Sequence, residues 1–154
     1  MPDIKATEGS CLCGGVRFEI WGNALRFAYC HCKSCRKSSG SAHVSNIGLP
    51  KENLRWLAGE ELVQVYTDEV DNPGFRRAFC RRCGCAVPKL SRNGLMYVVP
   101  AGLLDGDPGM RPDVLIWWEE RAPWLKNLDA LDKLGEGAGS AVRDPARSGF
   151  TGEY

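Results

Sequence analysis

The chain has 154 residues, with 20 lysines and arginines against 19 aspartates and glutamates, and a formal net charge of +1 at pH 7. A chain of this length is expected to form one domain with a sizeable hydrophobic core. The near balance of charge argues against partners that are held by a strong basic field, such as nucleic acid or an acidic membrane surface.

The first eight residues contain no apolar stretch of the kind found in signal peptides, and we predict that 1–8 form a flexible lead-in. No segment approaches the roughly 18–20 consecutive apolar residues of a membrane span. The expected location is therefore the cytoplasm, where thiols stay reduced. Eight cysteines in a reducing compartment favour metal ligation over disulfides.

The first half of the chain alternates between cysteine-rich turns and predicted strands. Segment 10–15 holds two cysteines separated by one residue and followed by two glycines, which lets the backbone turn both sulfurs toward one point. Alternating apolar and charged residues predict a strand over 16–20. A short strand over 26–29 leads into the sequence Cys-His-Cys-Lys-Ser-Cys at 30–35, and the polar run 36–40 is predicted to form one helical turn.

The second half continues this pattern of short strands and turns. We predict strands over 43–47, 54–57 and 62–66, a loop over 70–74, a second cysteine knuckle over 80–85, and buried strands over 95–99 and 114–118. Leucines at helical spacing predict a short amphipathic helix over 124–134. The sequence thus predicts a mainly β domain over 9–134 with a short C-terminal helix, and a loosely ordered tail over 135–154.

The spacing of the cysteines divides seven of them into two zinc sites. Two knuckles that each offer two thiolates make a closed site of structural type, and three thiolates from one loop leave a fourth tetrahedral position unfilled by that loop. The predicted structural ligands are Cys11, Cys13, Cys80 and Cys83, and the predicted catalytic set is Cys30, Cys32 and Cys35. Spacing alone leaves a shared arrangement open.

Three further residues near these cysteines have alternative interpretations. Cys85 is a candidate for three roles: a fourth ligand of the three-cysteine site, a buried thiol, or a redox partner of a nearby thiol. Because neighbours in an extended loop point in opposite directions, His31 is expected to face away from the metal and to orient the loop rather than react. His43 is placed in a strand pattern, where packing, exposure and function are equally compatible with the sequence.

Basic and aromatic residues also accompany the cysteines. The basic residues in question are Lys33, Arg36, Lys37, Arg76, Arg77, Arg81 and Arg82. They can offset the negative charge of zinc-bound thiolates, or some of them can hold the carboxylates of a small anionic thiol. Trp56, Trp117 and Trp118 are predicted to be core residues of strands, whereas Trp21 and Trp124 lie near turns and are candidates for a pocket mouth.

Segments 9–18, 30–40 and 79–84, with 101–105 and 121–124 downstream, resemble the glutathione-dependent formaldehyde-activating enzymes, a family that includes the centromere protein V type domain. The resemblance implies a zinc-stapled, antiparallel β-tent fold. It implies one structural zinc on the four-cysteine set and one catalytic zinc on the three-cysteine set. The implied activity joins glutathione to formaldehyde and is of the carbon–sulfur lyase type.

The sequence therefore predicts an enzyme whose substrates are a small thiol, such as glutathione, and a small aldehyde. A thiol that binds at the fourth position of the three-cysteine zinc would be deprotonated and positioned for attack. Two alternatives come from other classes of protein. In one, both zinc ions are structural and the chain is a binding or scaffold module; in the other, the thiols act as a redox sensor.

Overall fold

The computed structural model describes residues 3–134 and residue 138, and within them the chain is mainly β, as predicted from the sequence. One α-helix, α1, spans Lys33–Ser39. The ten strands are β1 (Asp3–Ser10), β2 (Arg17–Asn23), β3 (Arg26–Cys30), β4 (Val44–Pro50), β5 (Leu54–Ala58), β6 (Val63–Thr67), β7 (Arg76–Cys80), β8 (Lys89–Leu90), β9 (Met96–Pro100) and β10 (Val114–Ile116).

These strands form three separate sheets. The first has the order β1-β2-β5, the second has the order β10-β3-β4-β9-β8, and β6 and β7 form a two-stranded hairpin. All strand pairs are antiparallel except β10, which pairs in parallel with β3 at the edge of the second sheet. The short strands and antiparallel pairing agree with the frequent turn signals in the sequence.

The main hydrophobic core lies between the two larger sheets. Phe18 and Ile20 on β2 are fully buried while Arg17 is exposed, so the alternation that predicted this strand also fixes its inward face. Ile47 and Leu49 on β4 pack in the same cluster from the opposite sheet. Because both sheets contribute one apolar face, they are held together by burial of apolar surface.

A second, smaller core contains cysteines as well as aliphatic residues. Cys11 and Cys80 are 2% and 0% exposed, and they pack with Val16, Leu62 and Val87. This cluster connects the beginning of the chain to the β6–β7 hairpin. Two members of the four-cysteine set, Cys11 and Cys80, are therefore part of the interior, whereas Cys13 is exposed and Cys83 is half-buried.

The prediction of a flexible lead-in over 1–8 is wrong for the residues that the structure describes. They belong to β1, which pairs with β2 in the register Thr7 to Ile20 and Gly9 to Phe18. Ile4 is buried in the main core at 2% exposure. Its polar neighbours obscured the strand, because an edge strand can be held by backbone hydrogen bonds with few inward apolar residues.

The amphipathic helix predicted over 124–134 is replaced by a single 3-10 turn at Leu128–Ala130. Trp124 and Leu128 are 65% and 70% exposed, so the apolar face that predicted the helix is not packed against the described part of the chain. Without such packing a helix this short is marginal. The predicted tail over 135–154 lies outside the described residues, apart from residue 138.

Among the helices of the described residues, none combines the length and the apolar character that crossing a bilayer requires.

Candidate active site and metal centres

The structure brings together the four cysteines that were predicted to form a closed site. The sulfurs of Cys11, Cys13, Cys80 and Cys83 all lie within 4.8 Å of one another. In the first knuckle the backbone N–H of Gly14 donates to the Cys11 carbonyl at 2.8 Å, and in the second Gly84 donates to Cys80 at 2.8 Å. Both glycines have left-handed φ values, 68° and 71°, which a side chain would strain. Two matching turns thus aim four sulfurs at one point.

Backbone N–H groups stabilise negative charge on this cluster. Val16 donates its N–H to the Cys11 sulfur at 3.2 Å. Hydrogen bonds from the backbone of Cys85 and Cys13 lower the pKa of Cys83 to about 6. Cys85 therefore contacts the cluster through its backbone, and its own sulfur is outside the set of four.

The three-cysteine loop forms a second cluster at the end of β3. The sulfurs of Cys30, Cys32 and Cys35 also lie within 4.8 Å of one another. Cys30 is the last residue of β3, Cys32 is the N-cap of α1, and Cys35 lies in the first turn of that helix. The Cys32 sulfur accepts the Cys35 N–H at 3.3 Å, which replaces the hydroxyl of an ordinary cap. The transition from β3 to α1 therefore places the three sulfurs close to one another.

The segment after β10 holds the outer side of this loop. The His31 N–H donates to the Ile116 carbonyl at 3.0 Å, and the Lys33 N–H donates to the Glu120 carboxylate at 2.8 Å. Arg36 donates from Nε to the His31 carbonyl at 3.1 Å. Hydrogen bonds from the chain itself thus hold the three-cysteine loop in place.

His31 packs away from the cavity that the three sulfurs face. Its ring is 2% exposed and lies 5.2 Å from the centroids of both His43 and Trp118. Both ring nitrogens of His31 lack a hydrogen-bond partner within the described residues. This placement agrees with the expectation that His31 faces away from the metal, and the ring packs against other aromatic rings.

The three thiols differ in their tendency to ionise. The pKa of Cys30 is lowered to about 6 despite its burial. The largest cause is its hydrogen bond with the Cys35 thiol, and the N–H and thiol groups of Cys32 and the positive charge of Lys89 lower it further. The same interaction with Cys30 raises the pKa of Cys35. Burial lowers the pKa of Lys89, while the three nearby cysteines oppose that shift. The cluster therefore carries negative charge readily, with a cation beside it.

All three sulfur-bearing residues line a cavity of about 680 Å³. Ligand sites in proteins commonly have volumes of about 300–1,000 Å³. Lys89, Asn46, Glu120 and Trp117 line the same cavity, and sequence analysis did not identify any of these four as site residues. Nothing in their local sequence distinguishes them, because β4, β8 and the end of β10 meet the loop only in the folded chain.

Trp117 and Trp118 are not core residues, contrary to prediction. The strand ends at Ile116, and the two indoles are 62% and 41% exposed. Within the described residues Trp117 is the one non-glycine residue with positive φ, at 58°, and it turns the chain across the cysteine loop. Trp56 does pack against the core, whereas Trp21 and Trp124 do not line the cavity beside the three thiols.

Fold and site together define a class of protein: a mainly β chain with two candidate metal centres made only of cysteine thiols, one of them open to a cavity. Comparison with protein families is more specific. The model of the glutathione-dependent formaldehyde-activating enzyme family matches residues 6–120, and the chain belongs to this family.

One sequence relative and one solved structure are also similar to this chain. A protein of Halomonas elongata that is provisionally named a glutathione-dependent formaldehyde-activating enzyme is 32% identical over 126 residues. The match covers 77% of this chain and 79% of that protein. Among solved structures, the crystal structure of a Rhodobacter sphaeroides protein is similar, with a TM-score of 0.51 and 25% identity. The match covers 70% of this chain and 97% of that chain.

Proposed function

We propose that this protein is a carbon–sulfur lyase that joins the thiol of glutathione, or of a related small thiol, to formaldehyde or another small aldehyde. The family supports an activity with glutathione and formaldehyde. The observation that carries the proposal for this chain is that the residues of one compact trio, Cys30, Cys32 and Cys35, line a cavity large enough for a small ligand. The proposed location is the cytoplasm, as expected from the cysteine content.

The donor set fits zinc in both clusters. Four sulfurs in mutual proximity suit a structural zinc on Cys11, Cys13, Cys80 and Cys83, and three sulfurs facing a cavity suit a catalytic one on the loop trio. Bound zinc at the trio would supply a Lewis acid that lowers the pKa of an incoming thiol.

The chain itself supplies charge and enclosure around the reacting groups. Lys89 is held in place by a hydrogen bond from Nζ to the Arg76 carbonyl at 2.6 Å and by the Phe75 ring, whose centroid is 5.1 Å away. Its ammonium group lies in the wall of the thiol cavity, where it would stabilise negative charge that develops on the aldehyde oxygen. The cavity walls would hold thiol and aldehyde close together.

The proposal is tested by comparing two cysteine variants that differ in their relation to the cavity. Cys35→Ala removes one member of the trio, and Cys85→Ala removes a cysteine that belongs to neither set. We expect the rate of adduct formation between glutathione and formaldehyde, followed by NMR exchange spectroscopy, to fall at least about 100-fold in Cys35→Ala. Cys85→Ala is expected to retain the wild-type rate.

Two results would contradict the proposal. If zinc-loaded wild-type protein does not accelerate the reaction above the uncatalysed rate, the result would favour a binding or scaffold module. Loss of activity in Cys85→Ala, together with a disulfide at Cys85 in wild-type protein after mild oxidation, would favour the redox-sensor interpretation.

A further inference from the structure

A smaller cavity of about 250 Å³ lies beside the cavity that the three cysteines line. We call it the side cavity, and we call the larger one the thiol cavity. The residues that line both are Cys35, Asn46, Phe75, Lys89 and Val98. Other parts of the side cavity are formed by the end of α1 and by strands β4, β7 and β9. Because the two cavities share five residues, they are neighbours.

The side cavity has a largely aliphatic wall where it is not shared. Val44, Ala78, Ala86, Val87 and Pro100 line it, and none of them lines the thiol cavity. Ala78 and Val87 are 2% and 1% exposed, and the Val87 N–H donates to the Ala78 carbonyl at 3.1 Å. These two backbone groups are thus paired with each other, and the wall around them offers apolar surface to a ligand.

Polar residues at the helix end of the side cavity already have partners. The hydroxyl groups of Ser38 and Ser39 donate to the Cys35 carbonyl at 3.1 and 2.8 Å. Arg77 donates from Nη1 to the Ser38 carbonyl. An aliphatic group can occupy the cavity without breaking these hydrogen bonds, whereas a strongly polar group would compete for them.

Two hydrogen-bond donors lie at the boundary between the cavities. Lys89 and Asn46 line both, and the bond from Lys89 Nζ to the Arg76 carbonyl, at 2.6 Å, holds the ammonium group in place. An ammonium group and a side-chain amide can both donate to a carbonyl oxygen. A carbonyl group at this boundary therefore has donors for its oxygen and an aliphatic wall close by.

We infer that the side cavity holds an aliphatic substituent of the aldehyde substrate, an inference that rests on the proposed function. The aldehyde oxygen accepts a hydrogen bond from Lys89, and the aldehyde carbon faces the thiol at the trio. The alkyl group on that carbon extends past Cys35 into the side cavity. Formaldehyde has only hydrogen in that position, so the site favours aldehydes with a short alkyl chain.

The volume of the side cavity limits the length of this chain. A group the size of a water molecule takes up about 30 Å³ in a liquid, so about 250 Å³ accommodates a chain of about three or four carbons with room to spare. The reaction is an addition in which the thiol S–H bond and the π bond of C=O break and a C–S bond forms. The oxygen takes up the proton that the thiol loses, and no oxidant or reductant is needed.

The first test uses wild-type protein, glutathione and the homologous series acetaldehyde, propanal and butanal. NMR exchange spectroscopy gives kcat/KM for each aldehyde, and division by the uncatalysed rate constant of the same aldehyde removes differences in intrinsic reactivity. We expect this quotient to rise about three- to fourfold with each added methylene, because each one buries further apolar surface. A quotient that stays constant or falls along the series would overturn the inference.

Two alanine substitutions test where the alkyl chain binds. Ala86→Leu fills part of the side cavity, and Ala101→Leu is the matched control, since Ala101 is also half-buried and lines neither cavity. We expect the butanal-to-acetaldehyde ratio of kcat/KM to fall about tenfold in Ala86→Leu and to keep its wild-type value in Ala101→Leu. This ratio does not depend on the fraction of a variant that is folded. Equal ratios in the two variants would overturn the inference.

A binding measurement separates failure of this inference from failure of the proposed reaction. S-butylglutathione and S-methylglutathione are stable analogues of the butanal and formaldehyde adducts, and isothermal titration calorimetry measures their binding without turnover. We expect wild-type protein to bind the butyl conjugate at least about tenfold more tightly, and Ala86→Leu to lose this preference.

The outcomes of the two measurements differ for the two proposals. If no aldehyde reacts faster than in buffer, the enzymatic proposal fails, and the preference for the butyl conjugate then decides whether the side cavity binds an alkyl group. Equal binding of the two conjugates would overturn the inference. If formaldehyde reacts fast while the butyl conjugate has no advantage, the side-cavity inference fails and the proposed reaction remains.

Discussion

Two histidines, one buried and one half-buried, form an aromatic cluster at the three-cysteine loop. The His43 ring lies 4.4 Å from the Tyr29 centroid and 5.2 Å from that of His31. Nδ1 of His43 lacks a hydrogen-bond partner within the described residues. Burial, reinforced by the neighbouring His31, lowers the pKa of His43 below its ordinary value of 6.5. The folded protein therefore favours the neutral ring.

This shift makes stability depend on pH in a definite direction. Below pH 6.5 the unfolded chain takes up a proton at His43 more readily than the folded chain does. The contribution of the neutral His43 ring to the free energy of unfolding is therefore complete above pH 6.5, and it is lost as the pH falls toward the lower pKa of the folded state. His43→Phe keeps an aromatic ring in the stack but cannot titrate. We expect it to reduce the decline in Tm between pH 7.5 and 5.5 by about half, because His31 continues to contribute.

The measurement is a series of thermal unfolding curves for both proteins at equal metal content. Taking the difference between variant and wild type removes the effect of pH on the cysteines that the two share. Parallel curves of Tm against pH would show that His43 does not resist protonation in the folded state.

At the scale of elements, the 3-10 turn at Trp118–Glu120 adds a carboxylate to the N-terminus of helix α1, beside the cap that the Cys32 side chain provides. The helix has no acidic residue in its first turn, and its Lys33 N–H is paired instead with the Glu120 carboxylate, which is 87 residues away in sequence. A carboxylate at this end is favoured by the helix dipole and by the unpaired N–H groups. The left-handed conformation of Trp117 places the turn there.

We expect Glu120→Ala to destabilise the protein by about 0.5–1 kcal/mol, since the hydrogen bond is charged but exposed. Glu120→Gln, which keeps an acceptor and removes the charge, should recover part of this loss. Urea unfolding measures the change in free energy of unfolding, and hydrogen exchange should show faster exchange at the Lys33 amide in the alanine variant. Equal stability of wild type and Glu120→Ala would mean that the turn does not support the helix.

At the scale of the whole molecule, the four-cysteine set joins parts of the chain that no common sheet connects. Cys11 and Cys13 follow β1 of the first sheet, while Cys80 ends β7 of the separate hairpin. The hairpin contributes few aliphatic residues to the smaller core. A metal bound here would therefore supply much of the free energy that docks the hairpin, on the order of 10 kcal/mol for a structural zinc.

We expect Cys80→Ser to lower Tm by more than about 10 °C and to accelerate hydrogen exchange throughout β6 and β7. Elemental analysis should find two zinc ions per chain in the wild type and one in this variant. Cys85→Ser is the matched control, with expected zinc content and Tm close to those of the wild type. A wild-type protein with one zinc, or a Cys80→Ser variant that unfolds at the wild-type temperature, would contradict this division of the cysteines.

Much of the fold was predictable because its signals are local. Alternation predicted β2, and clusters of turn residues separated most of the other strands correctly. Elements whose stability comes from distant partners were missed: β1 depends on pairing with β2, and the apolar residues near Trp124 did not form the helix that their spacing favours. Local patterns report which face of an element is apolar, but not whether a neighbour covers that face.

The sequence by itself determined three local groups of thiols, two pairs and one trio, because ligands separated by one or two residues are held together by the chain's own covalent geometry. The tertiary structure decided that the two pairs meet in one cluster, which spacing alone had left open. Only the tertiary structure decided what surrounds them. Lys89, Asn46 and Trp117 reach the cavity from three different strands or strand ends, and Asn72 bridges to α1 from a hairpin turn. These contacts depend on how the sheets pack, and residues that are far apart in sequence leave no common local pattern.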